Sequence, residues 1–335
     1  MPDMVDFGDL RYDRTVSDEF LAHFVEAGFA AALVDYAKAP YPIDFQFRKE
    51  VKRPSNQWAT LYVGLTAVLN VVDKGTKGLA LTAHKTYRDP TLRLGWRGEW
   101  SAAATSAEWS TRWPDVERYL EKIIAFTVTK GGKYVKTEGI VQAAISGYLG
   151  DHVRAVIDRE VVPSFRDTST KKRIHEECSN PLAQALAKAD LGFGIPPSSF
   201  GMETDALAVD QDGRLIAIEI KPGNVSSLAW VPAQATMYAR VLQRWVDEDK
   251  QHWKQIIEKT LEQRRKIGLA APHFKAKDLQ PRVVPAVAFQ RVANETFIDR
   301  MHQIQDTLVH AGVGDPELEF YSVAPSGRLD AHTRS

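Results

Sequence analysis

The sequence predicts an α/β protein in two parts, an α+β unit over residues 1–135 and, over 136–335, a mixed sheet flanked by helices. Three observations carry that expectation. The second half alternates helical and strand-like stretches in the order α, α, β, β, α, α, β, α, β. Residues 44–100 are dominated by β-branched and aromatic runs set between two amphipathic helices. A chain of 335 residues, 44% of them hydrophobic, can bury two ordinary cores at roughly 100–200 residues per domain.

In the first part, Ser17-Asp18-Glu19 offers a helix start, and Phe20, Leu21, Phe24, Val25, Phe29, Ala32 and Leu33 recur at helical spacing up to about Lys38. Ala39-Pro40-Tyr41-Pro42 ends that helix. Strands are expected at Phe45–Arg48, Trp58–Val72 and Leu79–Tyr87, with Gly75-Thr76-Lys77-Gly78 as a hairpin turn. Pro114 to Val128 reads as a second helix with Val116, Tyr119, Leu120, Ile123, Ile124 and Phe126 on its apolar side, closed by Lys130-Gly131-Gly132-Lys133. Residues 44–97 carry ten Lys and Arg against four Asp and Glu. With Trp58, Tyr62, Tyr87 and Trp96, this stretch is a candidate surface for tracking phosphates and stacking bases, though solvated strand faces over core aromatics are the preferred reading.

The second part opens with a helical stretch from Thr137 to about Arg159, its stripe formed by Ile140, Ala143, Ala144, Tyr148, Val153 and Ile157, and stopped by Pro163. Thr168 to Cys178 reads as a helix, and Asn180-Pro181 as the cap and first residue of a new one. Further helices are expected at 248–266 and 295–310, strands at 282–290 and 318–323, and a frayed tail from Pro325.

Composition bounds the function. Lys+Arg and Asp+Glu each number 43, so a global polycation is excluded while a local basic surface is not. The single cysteine, Cys178, forms no internal disulfide and rules out a four-cysteine zinc or iron–sulfur site within the chain, which points to a reducing, cytoplasmic setting. No run of about 18 apolar residues and no signal-type apolar region occur, so no membrane partner is expected.

The stretch 201–244 carries the chemistry. If Gln211-Asp212-Gly213 forms a three-residue loop with Gly213 left-handed, Asp210 pairs with Arg214 and Asp205 stands opposite Glu219. Alternation then puts Asp205, Glu219 and Lys221 on one face and Ile218 and Ile220 on the other. A two-residue loop would place Asp205 across from Ile220 and break up the cluster. Two carboxylates side by side repel, and a hard divalent cation compensates them; oxygen-only ligands suit magnesium or manganese better than zinc. Glu203 shares the facing of Asp205 and substitutes for it in a shifted register. Gln234 and Tyr238 lie at i and i+4 on the following helix, on a stripe continuing through Val241 and Trp245. Taken singly, each of these residues has an ordinary structural role open to it; the conjunction is what points to a site.

Asp205, then Glu219-x-Lys221 fourteen residues on, then Gln234-x-x-x-Tyr238, resembles the PD-(D/E)XK nuclease superfamily, in particular its RecB-like branch, over residues about 170–245. The resemblance implies a restriction-endonuclease-like fold and Mg2+- or Mn2+-dependent cleavage of DNA. It implies that Asp205 and Glu219 bind the metal, that Lys221 is the catalytic lysine, and that Gln234 and Tyr238 position DNA or support the site. It also implies an upstream helical ligand, for which His175, Glu176 and Glu177 are candidates and Glu177 is preferred; neighbours on a helix point about 100° apart, so at most one of them faces the hairpin. The expected function is therefore a metal-dependent deoxyribonuclease. The alternative keeps the fold without catalysis, as a nucleic-acid-binding or assembly module, and a third reading is a non-nuclease protein with a chance motif. The first part is expected to contact DNA or a protein partner, and the sequence sets no oligomeric state.

Overall fold

The computed structural model describes residues 8–38, 43–129, 137–250 and 252–334. The chain divides into two compact units. Arg14–Gly147 and Lys259–Leu269 form the first, and residues 8–13, 148–258 and 270–334 form the second. The main junction thus lies at 147/148, and residues 8–13, 137–147 and 259–269 fall on the other side of the expected 135/136 boundary from their sequence neighbours.

A short strand, β1 (Leu10–Arg11), belongs to the second unit. The first unit begins with α1 (Asp18–Leu21), capped by the Ser17 hydroxyl, and α2 (Ala32–Ala37). The expected single helix over 17–38 is interrupted. Ala27 adopts φ +67°, and a Cβ on Gly28 would lie 2.4 Å from the His23 carbonyl oxygen, so the chain turns tightly where a helix would run straight. β2 (Ile43–Glu50), β3 (Arg53–Val63), β4 (Thr66–Asp73) and β5 (Leu79–Thr82) follow as an antiparallel sheet in that order. The apolar run 58–72 is two strands, because Gly64 takes φ +58° and lets Val63 pair with Thr66. The turn at 75–78 joins β4 to β5 as expected.

α3 (Ser106–Thr129) starts eight residues before the expected Pro114, which it contains. Its buried Val116, Tyr119, Leu120 and Ile123 meet Phe45, Leu61, Leu69 and Leu81 in one core that also takes in Ile267 and Leu269. Tyr87 belongs to this core, and Trp96 packs on it beside Trp100 and Tyr119, so neither serves as an exposed stacking platform; Trp58 and Tyr62 are half-buried. The expected closures at 39–42 and 130–133 lie outside the described residues.

α4 (Thr137–Gly147) is the shortened form of the long helix expected over 137–159. The rest of that stretch is a strand, β6 (Arg154–Val161), and Ile140 is exposed. After β7 (Ser164–Phe165), paired with β1, comes α5 (Thr168–Lys188), capped by the Asp167 carboxylate accepting from the Thr170 amide at 2.7 Å. α5 runs through Pro181 without a break, so Asn180-Pro181 is not a new start.

β8 (Thr204–Asp210) and β9 (Leu215–Lys221) form the expected hairpin. α6 (Val231–Glu248), α7 (His252–Lys266), β10 (Val283–Gln290), α8 (Glu295–His310) and β11 (Glu319–Val323) follow. The tail is ordered into β12 (Leu329–Ala331), paired with β11. The six-stranded sheet runs β12-β11-β10-β9-β8-β6, with β9, β10 and β11 mutually parallel and the remaining pairs antiparallel. It is a mixed sheet with helices packed on it: α6 lies on β9 and β10, with α5 and α8 beside it. Among the described residues, no helix is long and apolar enough to cross a membrane.

Candidate functional site

The hairpin turn sets the site. Gly213 adopts φ +83° and its amide donates to the Asp210 carbonyl at 3.0 Å, while the Asp210 amide donates to the Arg214 carbonyl at 3.1 Å. The three-residue loop is therefore the one formed, and pairing runs Val209 to Leu215, Leu207 to Ala217 and Ala206 to Ile218. One step further, Asp205 stands opposite Glu219. The Asp210 carboxylate braces the turn by accepting from the Asp212 and Arg214 amides at 3.0 and 2.8 Å. Asp210 and Asp212 are thus turn residues, as their chemistry suggests.

At the open end of the hairpin the predicted cluster assembles. Lys221 Nζ lies 2.9 Å from Glu219 Oε1 and 3.9 Å from Asp205 Oδ2. Asp205 Oδ2 also accepts from the Ile220 amide at 2.6 Å, which fixes the carboxylate across the ladder. Asp205 is 8% exposed and Glu219 3%, so two carboxylates sit almost out of water with the Lys221 ammonium beside both. Ile218 and Ile220 turn to the opposite face and are fully buried.

Tyr238 and Gln234 join this group from α6. Burial first, then the charges of Glu219 and Asp205, push the Tyr238 phenol well above its ordinary range, against the opposing pull of Lys221 and of a hydrogen bond from Gln234. The hydroxyl therefore keeps its proton and can donate at any physiological pH. Gly201 passes close by, since a Cβ there would come 3.1 Å from the Tyr238 hydroxyl.

The upstream ligand is a correction. Glu177 is turned away into an ion-pair network, accepting from Arg173 at 3.0 Å and from Arg244, which hold its carboxyl below the usual range. Arg173 and Arg244 also engage Asp9. Glu176 is half-exposed and 3.8 Å from Lys172. His175 Nε2 meets the Phe200 carbonyl oxygen at 2.6 Å and lines a shallow cavity of about 380 Å³ with Lys171, Lys172 and Gly201. Among the described residues, no group of three or more His, Cys, Asp or Glu side chains gathers as a metal-holding set.

One residue near the pair escaped the sequence reading. β6 pairs Arg159 with Ala206 and Val161 with Thr204, so Glu160 stands across from Asp205 on the side away from Glu219. Its backbone has φ +51°, a conformation few non-glycine residues adopt. Two residues earlier, Asp158 is 1% exposed and accepts from the Tyr12 hydroxyl at 2.8 Å. The acidic pattern Asp158-x-Glu160 was the available signal, masked by the helical reading of the stretch.

Compared with protein-family models, with curated proteins and with solved structures, the chain matches none at a significant level.

Proposed function

We propose that the second unit is a nuclease that hydrolyses phosphodiester bonds of DNA with a hard divalent cation at Asp205 and Glu219. The observation that carries this reading is the convergence of Lys221 on both carboxylates, in the register that the Gly213 turn dictates, with Tyr238 and Gln234 against them. The donor set is oxygen-only and holds two carboxylates, which fits magnesium or manganese: such ions keep several waters and use one or two protein carboxylates plus substrate phosphate. A catalytic zinc site, which takes three protein ligands, fits poorly. A bound cation would supply Lewis-acid polarisation of the phosphate and a more acidic water.

The chain's own residues do the rest. Lys221 neutralises the pair and offers an ammonium to charge building up on the phosphate. Tyr238, protonated and held by Gln234, donates a fixed hydrogen bond beside it. Lys171 and Lys172, bordering the cavity next to Gly201, supply cationic contacts for a phosphate backbone. The test is cleavage of circular, linear and single-stranded DNA with manganese and with chelator. Activity should need the metal and vanish in Asp205→Ala and Lys221→Ala proteins that remain folded; cleavage surviving both substitutions would sink the assignment.

A second reading keeps the nuclease fold as a nucleic-acid-binding or assembly module. It is favoured by Lys221 already sitting as counterion to both carboxylates and by the absence of a third clustered ligand among the described residues. Calorimetric titration with manganese separates the two: saturable binding that Asp205→Ala removes belongs to the enzyme and not to the module.

A further inference from the structure

A cavity of about 510 Å³ lies on the other side of α6 from the carboxylate pair, walled by Thr236, Arg240 and Arg244, by Cys178 of α5, and by Arg282 and Asp315. Arg240 follows Tyr238 by two residues, about 200° around the helix, so the two places are served by different faces.

Two donors meet this cavity without their usual partners. Thr236 is 2% exposed, and its Oγ1 has no hydrogen-bond partner among the described residues. A buried hydroxyl in that state is costly, and native structures satisfy almost all of them. Arg240 is half-buried, and among the described residues its guanidinium donates to backbone carbonyls, Cys178 at 3.3 Å and Val313 at 2.6 Å. Among the described residues it makes no ion pair with a carboxylate, and burial holds its pKa below the ordinary value. Its neighbours differ: Arg244 is paired with Glu177 and Glu248, and Arg282 with Asp315 and Glu317. Arg240 thus has Asp315 near it but bonded to Arg282, and its guanidinium and the unsatisfied Thr236 hydroxyl line the same space.

We propose that this cavity binds a small phosphorylated anion of mononucleotide size, its phosphate held by Arg240 and Thr236. The guanidinium fork matches phosphate oxygens, and the hydroxyl completes the cradle. The volume lies within the range of small-molecule sites, roughly 300–1,000 Å³, and exceeds what inorganic phosphate alone would fill.

The inference stands apart from the nuclease reading, because its readout is binding in chelator without cleavage. The full-length protein is titrated calorimetrically with inorganic phosphate and with adenosine 5′-monophosphate, as wild type, Thr236→Val and Arg240→Gln. Thr236→Val is the informative variant: it removes a hydroxyl that bonds nothing, so the unliganded melting temperature should hold or rise, while affinity for the nucleotide falls about tenfold. Arg240→Gln should weaken binding at least as much. Absence of binding of both probes at about 5 mM, or affinities that both variants leave unchanged, would overturn the proposal. Equal affinities for phosphate and nucleotide would overturn the assigned size, and tighter nucleotide binding supports it.

Discussion

Lys221 is central to the site, because its ammonium helps Asp205 and Glu219 share a nearly dry surface. Removing it takes a positive charge away from two buried, neighbouring carboxylates. Lys221→Ala should therefore cost about 2–4 kcal/mol in chelator, and manganese should restore part of the loss by binding the vacated pair; a melting temperature unchanged by both would contradict this. Glu177 provides the contrast. It belongs to an exposed ion-pair network, where such pairs contribute about 0–1 kcal/mol. Glu177→Ala should leave both stability and metal-dependent cleavage within about twofold of wild type, as measured under identical metal titration. The register of the pair was legible in sequence because a left-handed glycine admits so few loops. The upstream ligand was not legible, since choosing among His175, Glu176 and Glu177 requires the rotation of α5 about its axis, which spacing alone leaves open.

At the level of elements, the hairpin β8–β9 depends on its turn. A Cβ on Gly213 would meet the Asp278 carbonyl oxygen at 2.3 Å, in a backbone conformation already unfavourable for L-residues. Gly213→Ala should destabilise the protein by about 2–3 kcal/mol in a denaturant titration; a loss within error would show that the loop can adopt another register. α8 and the strand pair β11–β12 carry a pH dependence. His302 is stacked on His332, their ring centroids 5.6 Å apart, and both pKa values are lowered, His302 by burial and then by the charges of His332 and Arg334, His332 by burial. The unfolded chain thus binds more protons than the folded one below about pH 6.5, so this contribution is complete above that value and is lost as pH falls toward the depressed folded values. Melting temperature should drop between pH 7.5 and 5.5, and His332→Gln should flatten the slope; an equal slope in the variant would refute it.

The misread elements share a physical cause. Over 154–161 the buried residues of β6 include the polar neighbours Asp158 and Arg159, so the apolar alternation that announces a strand is absent while Val153 and Ile157 mimic a helical repeat. Proline at 181 and the fraying expected over β12 (Leu329–Ala331) were likewise overridden, because tertiary packing outweighs local propensity.

For the whole molecule, each of the two units is compact in space but discontinuous in sequence. Gln263 bonds the Val16 backbone in both directions at 3.1 and 2.7 Å, Arg264 reaches Gln46 at 3.0 Å, and Ile267 and Leu269 complete the first core. In the second unit, β1 pairs with β7 and Tyr12 bonds Asp158. Cutting at 147/148 therefore removes part of each core. Fragments 1–147 and 148–335 made separately should give broad, non-cooperative melts and should recover the intact profile only when mixed; two independently cooperative fragments would contradict the assignment. The sequence made the order of elements legible but not this interleaving, since a helix carries no mark of which core its second half serves.

That interleaving also bears on how the protein is made. On the ribosome, Lys259–Leu269 emerges only after α6 and the hairpin, so the first unit waits, its core unfinished, until most of the second has been synthesised. The first unit's core therefore cannot close fully until residues 259–269 have been made.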